Sequence, residues 1–479
     1  MSIRSLADFL ERLRAAGQLR RFSTPLSLRE EVAEATRRAA CENGPALVFQ
    51  NLEGSSLPLV TNLLASQQRI AISLGGESLE EISLRLPGSA AASPHGGWLN
   101  WLKAGLQGGP DSFAPRAVRT AGCQQVVRLG RDVNLLELPA LTLTSDEPQA
   151  TLWGAIVISG GSEAGGPRLE QFDLPVLDQH RLAIRFGPRD ALTHQIAACR
   201  EAGQKLPVAV LLGAPSALTL AASAALREPG LDPYVLAGLL GGEGVDVVTC
   251  RTIALQVPAE ADIVIEGTID PMAPPLTDAA PGQCGGLRLP AGVAHEIQVS
   301  ALTQRAQPLV TALVPHAPPN ESMEIARAMT RLWMPSTRRA IPLLTDVELL
   351  PSGLAGQIAV LAIRKQQPGQ ARQAAAAWWG QPATATTKMV IVVDEGVNVQ
   401  DAAAVVGEVA AQADPARDVF CFDGPIDHRD FSAAAAGLGS RLGIDATTKL
   451  PGEQTRGWGR RSEVSASVKQ KMEALWSQM

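Results

Sequence analysis

Residues 357–364, QIAVLAIR, and residues 388–394, KMVIVVD, decide the fold. Each is a short, almost unbroken apolar run, the pattern of a strand buried on both faces. Between them, Gly369 to Trp379 is rich in Ala and long enough for a helix. Asp401 to Ala413 supplies a second helix, and Asp418 to Phe422 a further strand. Strand and helix in alternation predict a parallel sheet covered by helices.

Upstream the texture changes. Residues 124–129 (QQVVRL), 151–161 (TLWGAIVISGG), 180–186 (HRLAIRF), 205–213 (KLPVAVLLG), 246–258 (DVVTCRTIALQVP) and 261–269 (ADIVIEGTI) are β-rich and separated by turn signals. They predict a β-barrel or split sheet between about 120 and 310, interrupted by helices near 189–203 and 215–227. Nearer the start, Leu6, Phe9, Leu10, Leu13 and Leu19 recur at helical spacing, and the pattern stops around Gly17. PALVFQN (45–51) and PLVTNLL (58–64) suit buried strands, and residues 85–120, rich in Gly, Pro and Ser, suit a linker. The end, Val464 to Gln478, reads as an amphipathic helix. The expectation is a multi-domain chain of α/β and α+β character: an α/β domain over 1–118, a central domain over 119–315, and a C-terminal α/β domain with terminal helix over 316–479. A length of 479 residues fits several cores better than one.

Composition excludes several classes. Hydrophobic residues are 46% and charged ones 19%, the mixture of a globular chain. The net charge is -6, the pI about 5.7, and no basic stripe points to nucleic acid. Six cysteines (Cys41, Cys123, Cys199, Cys250, Cys284, Cys421) lie far apart, so reduced thiols are expected and not a disulfide frame or zinc cluster. No run of about 18 apolar residues predicts a membrane span, and the opening segment has no secretory h-region. A cytoplasmic location follows as the expectation.

The chemistry-bearing residues give no reaction by themselves. The six His residues form no HxxxH or HExxH pair, and no GxSxG, P-loop or GxGxxG motif occurs. Charged residues near strand ends remain as candidates: Arg168, Asp173, Arg185, Asp278, Arg364 and Lys365.

Longer stretches carry a resemblance. LADFLERLRAAGQLRRF, GPALVFQNLEG, CQQVVRLGRDVNLLELPALT, GQKLPVAVLLGAPSALTLAA, LAGLLGGEGVDVVTCRTIALQVPAEADIVIEGTI, VIVVDEGVNVQDAAAVV, GPIDHRDFS and GLGSRLGIDATTKLPGEQTRGWGR follow one another as in the UbiD family. The chain resembles that family from end to end. The resemblance implies a central split barrel like that of flavin reductases, which holds prenylated flavin mononucleotide (prenylated FMN). It implies oligomers, and decarboxylation of aromatic or α,β-unsaturated acids with the flavin as electron sink. It also implies an Arg and two Glu as a catalytic triad, and a divalent metal, usually manganese, with potassium bridging the flavin phosphate to an Asn, a His and a Glu.

At those positions this sequence departs from the pattern. Arg168 stands at the metal-ligand Asn and Asp173 at the triad Arg. His194 fits a later, non-ligating position, and Pro233 occupies that of the ligand Glu. The two catalytic Glu fall on Thr277 and Gly282, or on Asp278 and Gln283. The Pro-x-Pro turn near the flavin becomes Ala225-Leu-Arg227, whereas the basic pair of the phosphate region survives as Arg364 and Lys365.

The resulting expectation is a degenerate paralogue that binds no metal and holds prenylated FMN weakly or not at all. It would serve as a homo-oligomeric or hetero-oligomeric subunit beside an active UbiD-type partner. Two alternatives stay open: a working carboxy-lyase with a reorganised triad in which Asp278 is a shortened acid, and a small-anion binding protein in which Arg168 meets the anion. Cofactor contacts, if made, are expected from Arg168, Arg185, Arg364 and Lys365.

Overall fold

The computed structural model describes residues 3–86, 113–160, 167–224, 231–279, 282–289, 292–351, 356–430, 432–433, 435, 437–454 and 464–476. The opening helix, Leu6–Ala15, begins at a reciprocal cap: the Ser5 hydroxyl accepts from the Asp8 amide, and the Asp8 carboxylate accepts from the Ser5 amide. Leu6, Phe9, Leu10 and Leu13 form its buried stripe. Leu19, grouped with them by spacing, lies beyond the helix in a strand, Leu19–Phe22. Gly17, at φ +68, lets the chain turn between the two.

That strand belongs to a four-stranded sheet ordered Leu19–Phe22, Ala46–Phe49, Leu59–Thr61 and Val310–Thr311. The last member, Val310–Thr311, returns to this sheet from beyond the end of strand Gly292–Gln304. One apolar cluster runs from Leu6 and Phe9 through Ile156, Leu211 and Leu236 to Met329 and Trp333. A second joins Val32, Leu47 and Phe49 to Trp153, Val208, Ile265 and Ile297.

The central sheet is eight-stranded. Its main path runs Arg181–Ile184, Gly292–Gln304, Ile263–Ile269, Leu206–Leu212, Thr151–Ser159, Arg168–Pro175, antiparallel throughout. Its two end strands approach through one bridge, Val176 with Leu182, and the described strands do not close into a barrel. Asp246–Thr249 and Gln256–Pro258 lie elsewhere, in a small sheet with Arg116–Ala117. Helices Ala191–Glu201 and Ser216–Ser223 fall where interruptions were expected. A third, Pro233–Gly241, was not foreseen.

The C-terminal sheet is five-stranded and ordered Leu344–Leu349, Ile358–Ile363, Met389–Asp394, Leu438–Ala446, Val419–Pro425. The two runs that decide the fold pair in parallel, Ile358 opposite Met389 through Ile363 opposite Asp394. The outer strands are antiparallel. Helix Gln370–Trp379 buries Ala371, Ala374, Ala375, Trp378 and Trp379 against one face. The small alanines let the helix lie close to the sheet while both tryptophans fill the remaining volume. The terminal helix, Ala466–Trp476, is exposed along its described length. No helix among the described residues is long and apolar enough to cross a membrane.

Candidate functional site

A cleft of about 860 Å³ opens between the central sheet and the C-terminal domain. Its central wall is shaped by an irregularity in the hairpin Thr151–Ser159 and Arg168–Pro175. Leu152 pairs with Leu174 and Ala155 with Phe172, so Trp153 and Gly154 together face Asp173. This is a β-bulge, which re-aims the side chain opposite it. Gly154 has φ +67, and a Cβ there would lie 2.5 Å from the Leu313 side chain. Its amide donates to the Asp173 carboxylate at 2.9 Å.

Asp173 lines the cleft, and burial raises its pKa to about 6. The Gly154 amide and the charge of Arg429 oppose that rise. No ion pair within 4 Å reaches Asp173 among the described residues. Arg429 comes from the opposite wall, on the loop after Val419–Pro425. Its Nε and Nη2 donate to Asp427 at 3.0 and 2.7 Å. This fork raises the Arg429 pKa, with Asp427 the first cause, and holds the Asp427 carboxyl far down. The Arg429 side chain still keeps 45% of its surface accessible from the cleft.

The loop that the resemblance sets at the two catalytic Glu continues into a tight hairpin in which Gln283 and Cys284 pair with Arg288 and Leu287. The Gln283 amide nitrogen donates to Glu147, whose other oxygen accepts from the Leu143 amide at 2.6 Å. Arg288 pairs with Asp146 beside it. Gln283 is thus an amide engaged in holding the hairpin. Burial raises the pKa of the neighbouring Cys284 thiol. Asp278 lies on strand Leu276–Ala279, and its side chain is outside the described residues.

Beyond Asp173 and Asp427, three further carboxylates line the cleft and were not foreseen: Glu170, Asp190 and Asp430. Glu170 accepts from the amides of Ala191 and Leu192 at 2.8 and 3.2 Å, capping helix Ala191–Glu201, and burial raises its pKa. Asp190 accepts from the Gly187 amide at 2.6 Å. The C-terminal domain clasps this loop: Arg189 donates to the Pro382 carbonyl at 2.7 Å, and a Cβ on Gly187 would lie 2.2 Å from the His428 ring.

The remaining sequence candidates scatter. Arg185 lines the cleft, and burial lowers its pKa. Arg168, first residue of its strand, is exposed and outside the cleft lining. Arg364 and Lys365 are not in the cleft either. Arg364 pairs with Glu395 at 2.8 Å on the surface. Lys365, 2% exposed, reaches Glu453 at 2.7 Å and the Thr447 hydroxyl at 2.9 Å at the end of the C-terminal sheet. A lysine so held pins a loop, and the partners described for it are groups of the chain itself.

These residues do not suit a metal-bridged flavin phosphate. Pro233 opens helix Pro233–Gly241 and has no donor atom, and the adjacent Asp232 caps that helix through the Tyr234 and Val235 amides at 2.8 and 3.2 Å. His194 is exposed on helix Ala191–Glu201. Arg168, which the resemblance sets at the ligand Asn, is a cation. A divalent ion wants about six hard ligands. Among the described residues no three His, Cys, Asp or Glu gather in a way that could hold one. The turn at Ala225–Arg227 lies outside the described residues.

Comparison with known proteins fits this architecture. Three models of 3-octaprenyl-4-hydroxybenzoate carboxy-lyase match: the N-terminal domain over residues 10–86, the Rift-related domain over 116–318, and the C-terminal domain over 324–446. Among solved structures, the chain is similar to the UbiD-class enzyme HmfF from Pelotomaculum thermopropionicum in complex with FMN. That match has 26% identity and a TM-score of 0.80, covering 98% of this chain and 99% of that one. An evolved dimeric form of the same enzyme, in complex with prFMN, matches with 25% identity and a TM-score of 0.78, over 98% of both chains. Vanillic acid decarboxylase from Sedimentibacter hydroxybenzoicus, in closed form, shares the fold at 23% identity and a TM-score of 0.84, covering 100% of this chain and 99% of that one.

Proposed function

Since the chain belongs to the UbiD family, we propose that it is a member whose decarboxylase centre has been dismantled and whose scaffold is retained for assembly. The observation that carries this reading is Asp173. A family decarboxylase needs a cation there to receive the substrate carboxylate. Here a carboxylate faces the cleft with one backbone amide as its donor. Two like charges in a partly desolvated cleft repel, so an aromatic acid is turned away before any chemistry.

The second support is the missing proton donor. Gln283 has no titratable proton, and its amide is engaged with Glu147. General acid–base help contributes roughly 10²–10⁴ in rate. The third is the phosphate end, where Pro233 and Arg168 supply no metal ligand. Bound prenylated FMN would supply the electron sink, but without that anchor it has no fixed position here. The small-anion alternative loses its residue, because Arg168 lies outside the cleft lining.

An assembly role rests on the terminal helix. Val464, Val468, Met472, Leu475 and Trp476 are exposed, Trp476 to 71%. Apolar residues three and four apart make one stripe, and such a stripe gains by being covered. The reading is a cytoplasmic oligomer, formed with itself or with an active UbiD-type subunit.

The test uses the full chain co-expressed with a flavin prenyltransferase and purified in manganese and potassium. Flavin absorbance and metal analysis are expected to give well under one flavin and one manganese per chain. One of each per chain overturns the reading.

A further inference from the structure

The residue that turns carboxylates away also says what the cleft accepts. The cleft is lined by Glu170, Asp173, Asp190, Asp427 and Asp430. Four of these are already answered. Asp427 is forked by Arg429, Asp430 pairs with Lys388 at 2.8 Å, Glu170 caps a helix through two amides, and Asp190 closes its own turn. Asp173 has the Gly154 amide and nothing further among the described residues. An ionised carboxylate offers about four acceptor sites, so most of its capacity is unused.

The surroundings of Asp173 define the rest of a site. Trp153 and Phe172, both almost fully buried, line the cleft with Leu313. The Trp153 indole N–H is engaged with the Leu141 carbonyl at 3.1 Å, so this core side chain is satisfied within the protein. Arg429, the nearest cation, is matched by Asp427. A second acceptor is stranded on the C-terminal wall: Gln357 lines the cleft, is 6% exposed, and its side-chain oxygen has no partner. Unanswered acceptors suit a hydrogen-bond donor that carries positive charge, since an ammonium donates to a carboxylate more strongly than a neutral donor does.

We infer that the cleft is a binding site for a small molecule bearing a protonated amine, with Asp173 as the receptor for the ammonium group. The charge preference is the inverse of a decarboxylase's. The inference rests on the reading that the cleft no longer receives a carboxylate, but it adds a ligand class and a specificity residue.

The experiment is titration calorimetry on the full chain at pH 7.5 and low salt, with benzylamine and benzoate as probes of equal size and opposite charge. Benzylamine is expected to bind at least about tenfold more tightly than benzoate, about 1.4 kcal/mol. Asp173→Asn keeps an oxygen for the Gly154 amide and should lower benzylamine affinity about tenfold or more. Asp173→Arg should reverse the preference. Equal or tighter binding of benzoate, no binding of benzylamine, or a benzylamine affinity unchanged in Asp173→Asn would each overturn the inference. Turnover of an aromatic acid would instead sink the dismantled-centre reading. Absent turnover with no amine binding would sink only the ligand class.

Discussion

Two regions of the molecule bury charge in opposite ways. At the end of the C-terminal sheet, Lys449, 1% exposed, lies 3.0 Å from Asp445 and 3.4 Å from Asp418, and donates to the Asp445 carbonyl at 2.8 Å. Lys365 beside it is held by Glu453 and Thr447. In the interdomain cleft, Asp173 has one amide and no ion pair among the described residues. Matched burial is the mark of structure, because each charge there replaces its lost water with protein partners. Unmatched burial costs stability and persists where a cleft keeps the group accessible to a ligand.

The comparison breaks most readily at Lys449. Replacing it with Met removes the cation that Asp418 and Asp445 share, leaving Asp418 to Arg417 at 2.6 Å and Asp445 to Lys365 at 3.8 Å. A loss at the lower end of the buried-pair range, about 3 kcal/mol, is expected. Thermal melting and hydrogen exchange should show the loss concentrated in residues 344–446. Gly154→Ala comes next. At φ +67, with Leu313 in the way, a methyl group forces backbone and side chain apart. About 2–3 kcal/mol of destabilisation is expected, along with loss of whatever Asp173 binds.

Asp173→Asn should act with the opposite sign. The folded-state pKa of about 6 lies above the ordinary carboxylate value, so the ionised form is the costly one. The groups facing Asp173 are Arg429, backed by Asp427, and the Cys284 thiol. The penalty is full above about pH 6 and gone below about pH 4. The Asn variant should therefore be more stable than the parent by about 1–3 kcal/mol at pH 8, and equal to it near pH 4. Melting curves across that range check it. A variant less stable at pH 8 would mean that Asp173 is matched after all. The smallest effect on stability belongs to truncation after residue 463. Helix Ala466–Trp476 buries little against its own chain, so the melting temperature should scarcely move while light scattering shows a smaller assembly. An unchanged mass would remove the helix from the assembly account.

What the sequence disclosed follows the same division. Ile358–Ile363 and Met389–Asp394 were legible because strands buried on both faces are apolar runs. The opening helix was legible from its apolar stripe. The return of Val310–Thr311 to the first sheet was not, because a two-residue strand has no periodicity and its partner lies at Leu59–Thr61. At the site, Asp173 stood among several charged strand-end candidates, and only the resemblance gave it a role. The Gly in TLWGAIVIS gave a physical hint, since a glycine inside a strand pattern marks a bulge or a close approach. Glu147 and Arg429 were missed. One meets Gln283 from 136 residues away, and the other sits on a loop with no pattern. Arg364 and Lys365 show the limit of such a reading, because adjacent basic residues look alike whether they face a phosphate or carboxylates, and here they meet Glu395 and Glu453.

The central claim, that the cleft has lost the chemistry of its family, is tested most directly by CO2 release. The unmodified chain, matured with prenylated FMN, would be offered cinnamic, hydroxybenzoic and heteroaromatic acids, alone and with an active UbiD-type subunit. The account predicts no release above the uncatalysed level from the chain alone. It predicts the same result for Asp173→Arg combined with Gln283→Glu, because Pro233 and Arg168 still leave the phosphate end without a metal. Turnover by the unmodified chain alone would contradict it.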